Sequence, residues 1–279
     1  MKKHQNINAC LFLIISSLLF TSCQTDDTLE IDPQNNIPNF ENYHYSTMHY
    51  PGFILATSTN GIVKIEYDNQ NRPTKRIGGM AALPASVGYT HMFSNDYKEE
   101  IVYGNNEISL FVKFSEPYNS SLLKTVFKTE NGKIIQKVNV NVNSPSANDT
   151  IKYYYNNERL VRSYKKRKFP VSESTYYYNS LGNVDSIVAR PFAYDGASQT
   201  WEVDNITQFR TVEYFKDFDN SPNPTKKLML FDEIFNRSLS QNNYRAYESK
   251  NYDFNGTVYE FATRNWTFNY VNNQIVFGN

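Results

Sequence analysis

Aromatic and aliphatic residues alternate with polar ones along most of this chain, in short stretches bounded by Asn, Asp or Gly. Around Asn156, for example, Ile151, Tyr153 and Tyr155 occupy alternate positions before a turn, and Leu160 follows it. An alternation with a period of two places one set of side chains on one face of a β-strand. The stretch therefore predicts a hairpin whose inward face carries these apolar residues.

The same unit recurs along the chain. One copy spans Ile65–Ile77, and others turn at Glu130-Asn131-Gly132, Asn156-Asn157-Glu158, Ser180-Leu181-Gly182-Asn183, Asn255-Gly256 and Val271-Asn272-Asn273. Successive hairpins joined in this way form an antiparallel meander. We therefore predict an all-β domain in which the meander curls into a barrel-like or half-barrel sheet, because curling leaves few strand edges exposed.

The turn glycines make this prediction specific. Gly132, Gly182 and Gly256 are expected at or just after a β-turn, because glycine reaches a positive φ without a Cβ clash. Alternation around Gly182 also predicts one face for Tyr176 and Tyr178, and one face for Val184 and Ser186. The conformation of these residues in a structure tests the hairpin prediction.

Two segments depart from the alternation. Leu228–Leu239 has apolar residues at spacings of three and four, a pattern that permits one short helix. The stretch Gly78–Gly88, with paired glycines and Pro84, is typical of a long loop. The predicted fold therefore contains at most one short helix.

The first residues predict export. A basic start at Lys2 and Lys3 precedes an uncharged run, Ala9–Phe20, which is the order of parts in a signal peptide. The run has about a dozen residues, whereas a transmembrane helix needs roughly 20. We expect residues 1–22 to be removed.

The end of this run, Leu19-Phe20-Thr21-Ser22-Cys23, resembles the lipobox of bacterial lipoproteins. The resemblance implies that Cys23 becomes the lipidated N-terminus and holds the protein at the outer membrane; an ordinary secretory signal is the alternative. The acidic pair Asp26-Asp27 looks like the surface-export signal of Bacteroidota lipoproteins, which leaves both a periplasmic and a surface-exposed location open. Residues 23–40 have too little apolar surface to order themselves and are expected to form a flexible tether. Residues 41–279 form the single predicted β-rich domain.

Composition narrows the chemistry. Tyr and Phe are abundant, at 22 and 19 residues, which suits half-buried strands. The chain has 28 basic and 28 acidic residues, so loss of Lys2 and Lys3 with the signal peptide leaves a small acidic excess. Nucleic-acid binding is not expected, since it needs a clustered basic excess, and the one basic run, Lys165–Lys168, is expected to be a solvated strand end. Of the two cysteines, Cys10 lies in the segment expected to be removed and Cys23 is the expected lipid site, so no thiol nucleophile is expected in the mature domain.

The stretch Tyr176–Ile187 carries a resemblance to a known family. Its pattern, Tyr-x-Tyr-Asn-x-x-Gly-x-Val-x-x-Ile, looks like the YD-type hairpin repeats of Bacteroidota lipoproteins. More narrowly, the chain resembles domain families there that are described as having a porin-like, antiparallel β fold. The resemblance covers about residues 60–279, and it implies a β fold and no catalytic residues.

No motif in the sequence predicts catalysis. Gly-x-Ser-x-Gly, Walker, Gly-x-Gly-x-x-Gly and His-Glu-x-x-His patterns are absent from the sequence. His44 and His49 would lie on opposite faces of a strand, and with His91 they do not predict a metal site or a cofactor. Paired carboxylates, as glycoside hydrolases use, are candidates only by adjacency; they are Glu99-Glu100, Asp217 with Asp219, and Asp232-Glu233.

Two further sets of residues are candidates for contacts or modification. Trp201 and Trp266 are candidates for stacking on a sugar, with core packing as the favoured alternative. Three matches to an Asp-Ser/Thr-aliphatic pattern resemble the O-glycosylation sequon of exported Bacteroidota proteins and make Thr28, Thr150 and Ser186 candidate sites. The sequence favours a non-enzymatic binding or structural module at the outer membrane, with the membrane, a glycan or an envelope protein as partner. A glycan hydrolase that uses paired carboxylates is the alternative.

Overall fold

A computed structural model describes residues 39–48, 61–82, 91–114, 123–141, 148–272 and 274–276. The predicted signal peptide, Cys23, Thr28, His49 and nearly all of the predicted tether lie outside these residues. The structure therefore bears on the β domain, and the lipid anchor stays a prediction.

The described residues form strands with a few short helical segments. The strands are β1 (Asn42–His44), β2 (Ile62–Tyr67), β3 (Pro73–Ala82), β4 (His91–Gly104), β5 (Glu107–Lys113), β6 (Leu123–Glu130), β7 (Lys133–Asn141), β8 (Asp149–Asn156), β9 (Arg159–Lys166), β10 (Pro170–Tyr178), β11 (Val184–Asp195), β12 (Thr200–Val203), β13 (Arg210–Pro222), β14 (Asn242–Tyr252), β15 (Val258–Asn265), β16 (Asn269–Val271) and β17 (Gln274–Val276). The helical segments are α1 (Tyr45–Met48), a 3-10 helix η1 (Pro224–Leu228) and α2 (Asp232–Ser238). None of these helical segments has the length and apolarity that a bilayer crossing requires, within the part of the chain that is described.

The strands form one antiparallel meander. Neighbours in sequence are neighbours in a 15-stranded sheet from β1 to β15, with β12 paired to β11 at the side and a separate β16-β17 hairpin. The two end strands, β1 and β15, do not pair with each other among the described residues. They are linked instead through α1, because Arg264 Nη2 of β15 donates to the carbonyl of Ser46 at 2.5 Å. Strands make up 67% of the structure and the sheet is open, so the predicted all-β meander is confirmed.

The sheet curls around the helical insertion between β13 and β14. Helix α2 reaches β3 through an Arg76–Glu233 ion pair, and it reaches β13 where Asn236 Nδ2 lies 3.5 Å from Glu213 Oε2. Along the sheet, β3 and β13 are nine strand spacings apart, or about 43 Å in a flat sheet. A seven-residue helix is only about 10 Å long. The sheet must therefore bend until its inner face surrounds the insertion.

Local caps explain why the insertion is helical. Asn223 precedes η1 and accepts a hydrogen bond from Thr225 N at 3.0 Å, and Pro224 occupies the first helical position. The Asn223 amide also donates to the carbonyls of Arg237 and Ser240, at 2.7 and 3.0 Å. One buried side chain thus ties the start of η1 to the end of α2.

The insertion supplies much of the core. Its buried apolar side chains are Leu228, Leu230, Phe231 and Ile234, and the Phe235 ring packs 5.4 Å from that of Tyr153 on β8. The helical spacing noted for Leu228–Leu239 is therefore formed, as the end of η1 followed by α2. Its apolar stripe faces the concave side of the sheet.

Three of the turns share one hydrogen-bond arrangement: Asp68–Arg72, Asn179–Asn183 and Asp253–Thr257. In each, the side-chain oxygen of the first residue accepts from the main-chain N–H groups two and four positions later, at 2.8 to 3.1 Å. The main-chain N–H of the first residue donates to the carbonyl of the fifth. The fourth residue has a φ of 57°, 81° and 83°, respectively. The repeated Tyr-Asp/Asn pattern thus corresponds to one repeated turn geometry.

The turn glycines lie where the sequence predicts. Gly132, Gly182 and Gly256 have φ values of 74°, 81° and 83° between paired antiparallel strands. At Gly132 the turn is a two-residue loop, since Glu130 pairs with Lys133. The positive φ explains why glycine occupies these positions.

Gly182→Val is expected to lower the free energy of unfolding by about 1–3 kcal/mol, because a β-branched residue is strained in the left-handed region. A Cβ there would also lie 3.0 Å from Gln241 Cγ. Urea denaturation measures the loss. Gly196→Val is the matched control, since no atom lies within 4 Å of its Cβ position and its φ is outside the strained range; an equal loss in both variants would contradict the strain argument.

The strand faces predicted around Asn156 and Gly182 agree with the structure except after one bulge in β11. Ile151, Tyr153, Tyr155 and Leu160 pack in the core, and so do Tyr176 and Tyr178. The prediction of one face for Val184 and Ser186 is wrong. Val184 pairs with the inward Tyr178, whereas Ser186 pairs with the outward Tyr177, because the register shifts between Tyr177 and Tyr178. A bulge adds one residue to one strand and so reverses the faces beyond it.

The predicted long loop over Gly78–Gly88 is also wrong in its described part. Residues 78–82 continue β3, and Gly79 to Ala82 pair with β4. The glycines are there because aromatic rings lie against the strand: a Cβ on Gly79 would be 2.6 Å from Tyr97 Cδ1, and one on Gly78 would be 2.9 Å from Phe93 Cζ. Residues 83–88 lie outside the described residues.

Candidate functional site

The candidate site begins with charged side chains at inward positions of the first strands. Arg76 of β3 pairs in register with Ile65 of β2 on one side and with Glu99 of β4 on the other. Opposite residues of antiparallel strands point to the same face, and Ile65 is buried in the core. Arg76 and Glu99 therefore point inward, towards α2.

Arg76 joins two carboxylates from different elements. Its Nη1 lies 3.0 Å from Glu99 Oε2, and its Nη2 pairs with Glu233 Oε1 of α2. The side chains of Arg76, Glu99 and Glu233 are only 4%, 10% and 17% exposed. A guanidinium presents its donors in a planar fork, which suits two carboxylates at once. We call Arg76, Glu99 and Glu233 the buried triad.

Tyrosine hydroxyls add a hydrogen bond to each of the triad's two carboxylates. Tyr97 Oη donates to Glu99 Oε1 at 2.8 Å, and Tyr43 Oη donates to Glu233 Oε1 at 3.4 Å. Burial raises the pKa of Tyr43, Tyr45 and Tyr97 well above the ordinary value of a phenol. These tyrosines therefore stay protonated and act as donors.

The carboxyl of Glu233 is held by opposing effects. Burial raises its pKa above the ordinary value, Arg76 lowers it, and Glu99 raises it. Burial by itself would lower the pKa of Arg76, but the charges around it, Glu233 first, raise it well above the ordinary value. The arginine therefore keeps its charge and remains the cation that balances the two carboxylates.

A second ion pair lies beside the triad. Lys137 of β7 has a buried amine that pairs with Asp232 of α2, and its Nζ lies 5.9 Å from the ring of Phe127. Asp232, with a side chain that is 76% exposed, reaches the surface of the site. The first two residues of α2 are thus both clamped by cations from the sheet.

These groups line a cleft of about 330 Å³ between the inner face of the sheet and α2. Its polar wall comprises Tyr45, Arg76, Tyr97, Glu99, Lys124, Thr125, Lys137, Asn139, Asp232 and Glu233. Its apolar wall comprises Met80, Leu110, Val112, Val140 and Leu230. Thr125 and Asn139 face each other across β6 and β7, where Thr125 Oγ1 donates to Asn139 Oδ1 at 3.0 Å. The cleft offers mixed donors and acceptors beside an apolar surface.

The carboxylates that are paired by adjacency in the sequence lie in different places in the structure. Glu99 of β4 and Glu233 of α2 both bind Arg76, and Asp232 precedes Glu233 at the start of α2. Glu100 instead pairs with Lys113. Asp217 and Asp219 serve structure elsewhere: Asp217 pairs with Arg245 at 2.6 Å, and Asp219 accepts from Asn243 and Tyr270.

The two tryptophans belong to separate clusters. Trp201 on β12 is 38% exposed, stacks 5.6 Å from Phe169 and lies 5.4 Å from Tyr194. Trp266 is 7% exposed, and the guanidinium of the fully buried Arg237 lies 4.6 Å from its ring. Trp201 is therefore available to a ligand, whereas Trp266 packs in the core.

The remaining sequence candidates lie on strands. Thr150 is in β8 beside Asp149, which binds Arg167, and Ser186 is on the outward face of β11 next to the exposed Asp185. His44 is in β1 and His91 begins β4. Among the residues that the structure describes, no three His, Cys, Asp or Glu side chains gather as metal ligands would.

Arg76 and Lys137, the cations of the site, carry no sequence motif that marks them as site residues. Alternation of Tyr97, Glu99, Ile101 and Tyr103 already places Glu99 on an inward face. Arg76 has the same signal, since it faces the inward Ile65 across the first hairpin. The alternation does not mark Lys137 as an inward residue, because a bulge opposite Lys128 and Thr129 shifts the alternation of β7.

Comparison with known proteins finds similarity in structure. No family model matches the chain and no curated protein matches it. Crystal structures of porin-like proteins from Bacteroides vulgatus and Bacteroides uniformis are each similar with a TM-score of 0.46 and 11% identity. The alignments cover 80% of this chain in both cases, and 88% and 84% of the two proteins, respectively.

Both proteins are described as porin-like. The lipoprotein and YD-type parts of the resemblance are not addressed by these structures. At 11% identity and a TM-score of 0.46, neither a location nor an activity is transferred to this chain.

Proposed function

We propose that this chain is a lipid-anchored, non-enzymatic binding module of the cell envelope, held at the outer membrane through Cys23. Its ligand site is the cleft beside α2, and its ligand is rich in hydroxyl groups, as a glycan is. The observation that carries the proposal is the pairing of every acidic group of the cleft, Glu99, Asp232 and Glu233, with a buried cation. Such a site is built to present fixed donors and acceptors.

The walls of the cleft suit a sugar. A pyranose offers hydroxyls that both donate and accept, together with apolar C–H faces. Asn139 and Thr125 supply an amide and a hydroxyl, and Leu110 and Val112 supply apolar surface. A volume of about 330 Å³ lies at the lower end of small-molecule sites, which span about 300–1,000 Å³.

The geometry does not favour the hydrolase alternative. Glycoside hydrolysis needs one protonated carboxyl, a second ionised one, and room for the scissile bond between them. Here the guanidinium of Arg76 binds Glu99 and Glu233 together. The arginine therefore fills the space that a glycosidic oxygen would need, and its charge lowers the pKa of the Glu233 carboxyl against the effect of burial.

Asn139→Ala is expected to weaken glycan binding about tenfold, which corresponds to about 1.4 kcal/mol, because it removes an amide at the mouth of the cleft. A glycan array with the full chain selects the ligand, and calorimetric titration measures its affinity. Asn251→Ala is a matched control: Asn251 accepts from Thr211 across β13 and β14, at 2.6 Å, and does not line the cleft. An equal loss in both variants, or release of reducing ends from the bound glycan, would contradict the proposal.

Cys23→Ala is expected to move the protein from the membrane fraction to the soluble fraction, because Cys23 is the only cysteine left after residues 1–22 are removed. Several acyl chains hold a protein firmly, since each buried CH₂ contributes about 0.8 kcal/mol. Fractionation after a salt wash measures the change, with Ser22→Ala as a control that keeps a small residue before the cysteine. A variant that still sediments with membranes would rule out the lipid anchor.

A further inference from the structure

One end of the sheet carries a row of exposed apolar side chains. Phe169 lies between β9 and β10, Tyr194 and Trp201 flank the β11-β12 turn, Ile206 precedes β13, and Phe254 lies between β14 and β15. Antiparallel strands that alternate in direction bring these connections to the same end. We call Phe169, Tyr194, Trp201, Ile206 and Phe254 the apolar tip surface.

Ring contacts group these tips into two clusters, which the segment 204–209 links along the chain. Trp201 touches both Phe169 and Tyr194. The chain then turns from β12 into residues 204–209, where Gln208 N donates to Phe254 O at 3.0 Å. The Phe254 ring stacks 5.4 Å from that of Phe209. The exposed rings therefore form two clusters at this end of the sheet, Phe169 with Tyr194 and Trp201, and Phe254 with Phe209.

The exposure of this surface is large for apolar side chains. Ile206 is 96% exposed, Phe254 is 66% exposed, and Tyr194 and Phe169 are more than half exposed. Ile206 is held out by its own turn, since Asp204 Oδ1 accepts from the N–H groups of Ile206 and Thr207, at 3.1 and 2.9 Å. A fixed turn that presents an aliphatic side chain to water is typical of a surface that contacts an apolar partner.

The exposed lysines beside Phe169 favour an anionic bilayer as that partner. The basic run Lys165–Lys168 leads directly into Phe169, and Lys166 and Lys168 are exposed. Asp195 and Asp204 lie in the turns on either side of β12, where hydrogen bonds from Ser198 and Thr207 lower their pKa and keep them charged, so the attraction is assigned to the lysines next to Phe169. Aromatic rings flanked by lysines are favoured at the boundary between headgroups and acyl chains, and each basic residue there adds attraction to anionic lipid.

We propose that the apolar tip surface lies at the boundary between headgroups and acyl chains of the bilayer that holds the lipid anchor, with Lys166 and Lys168 against anionic headgroups. This inference rests on the anchoring part of the proposed function and is independent of the ligand in the cleft. It makes the protein a two-point membrane binder. The anchor fixes its position, and the tips fix its orientation.

The native tryptophans provide the test. The purified full chain is reconstituted into phosphatidylglycerol-containing vesicles with or without brominated acyl chains, which quench tryptophan emission on contact. The difference between the native protein and Trp201→Phe isolates Trp201, because Trp266 is buried and gives a constant background. We expect the Trp201 emission to shift to the blue and to fall at least twofold with brominated lipid.

Variants locate the effect. Phe169→Ser with Ile206→Ser is expected to abolish most of the quenching, whereas Leu181→Ser is expected to leave it unchanged. Leu181 is the matched control because it is 69% exposed in the turn between β10 and β11, at the opposite end of the sheet. Far-ultraviolet circular dichroism confirms that each variant is folded.

Sedimentation separates this inference from the anchor. Protein that sediments with vesicles while Trp201 stays unquenched is anchored, and the orientation proposed here is then wrong. Protein that does not sediment overturns the anchor and the inference together. A Trp201 blue shift that grows with protein concentration without vesicles assigns the surface to a second copy of the chain and overturns the bilayer as its partner.

Discussion

Replacement of Arg76 by Met is expected to lower the free energy of unfolding by about 3–5 kcal/mol, because it leaves two buried carboxylates without their cation. The side chain of Arg76 is 4% exposed and binds Glu99 and Glu233 together. Urea denaturation at neutral pH measures the loss, with one slope m of unfolding free energy against urea concentration fitted to both proteins. A loss below about 1 kcal/mol would show that the triad does not balance charge as the structure indicates.

A second substitution tests the cause. Arg76→Met combined with Glu99→Gln and Glu233→Gln removes the cation and both charges, so it is expected to regain most of the lost stability. Arg72→Met is a matched control, since Arg72 binds Asp68 with 45% of its side chain exposed. Surface pairs of this kind contribute about 0–1 kcal/mol.

The same variant has a defined pH dependence. Burial raises the pKa of Glu233 and Arg76 lowers it, so Arg76→Met leaves the raising effect unopposed. A carboxyl whose folded pKa is raised contributes stability below its unfolded pKa and loses it as the pH rises through the folded pKa. The deficit of Arg76→Met relative to the native protein should therefore be smaller at about pH 5 than at about pH 8. A deficit that is constant or grows towards acid would contradict the charge argument.

Ile234→Ala is expected to cost about 2–5 kcal/mol, because it opens a cavity where α2 meets the inner face of the sheet. Ile234 is 0% exposed. Alanine is a better helix former than isoleucine, so a loss reports packing against the sheet and not the helix itself. Thermal and urea unfolding measure the change.

The control for this variant is Ile206→Ala, since the same side chain is 96% exposed there. Its expected effect on stability is within about 0.5 kcal/mol. If both variants unfold at the same urea concentration, the insertion is not part of the core. If Ile234→Ala unfolds α2 while the strands keep their native stability, α2 folds separately from the sheet.

The local pattern determined most of the fold. A period of two, interrupted by Asn, Asp and Gly, defined hairpins such as the one that carries Tyr153 and Leu160, and short connections between successive hairpins favour a meander. Gly132, Gly182 and Gly256 were placed in turns because positive φ is a property of the single residue. These features depend on contacts between residues close in sequence, and the sequence alone contains them.

Bulges and close packing were decided by the tertiary structure. Ser186 lies on the face opposite to the one predicted, because one extra residue in a strand reverses the alternation without any local signal. Gly78 and Gly79 belong to a strand because Phe93 and Tyr97 pack over them. A glycine that makes room for a ring and a glycine that makes a loop look alike in sequence.

The site depended on tertiary structure even more. Alternation shows that Arg76 and Glu99 point inward, and adjacency alone marked Asp232 and Glu233. Only the curl of the sheet brings β3 and β7 to one helix that follows β13 in the chain, so that Arg76 meets Glu233 and Lys137 meets Asp232. The sequence determined which side chains face the interior, whereas the curvature, which arises from packing along the whole sheet, decided which of them meet.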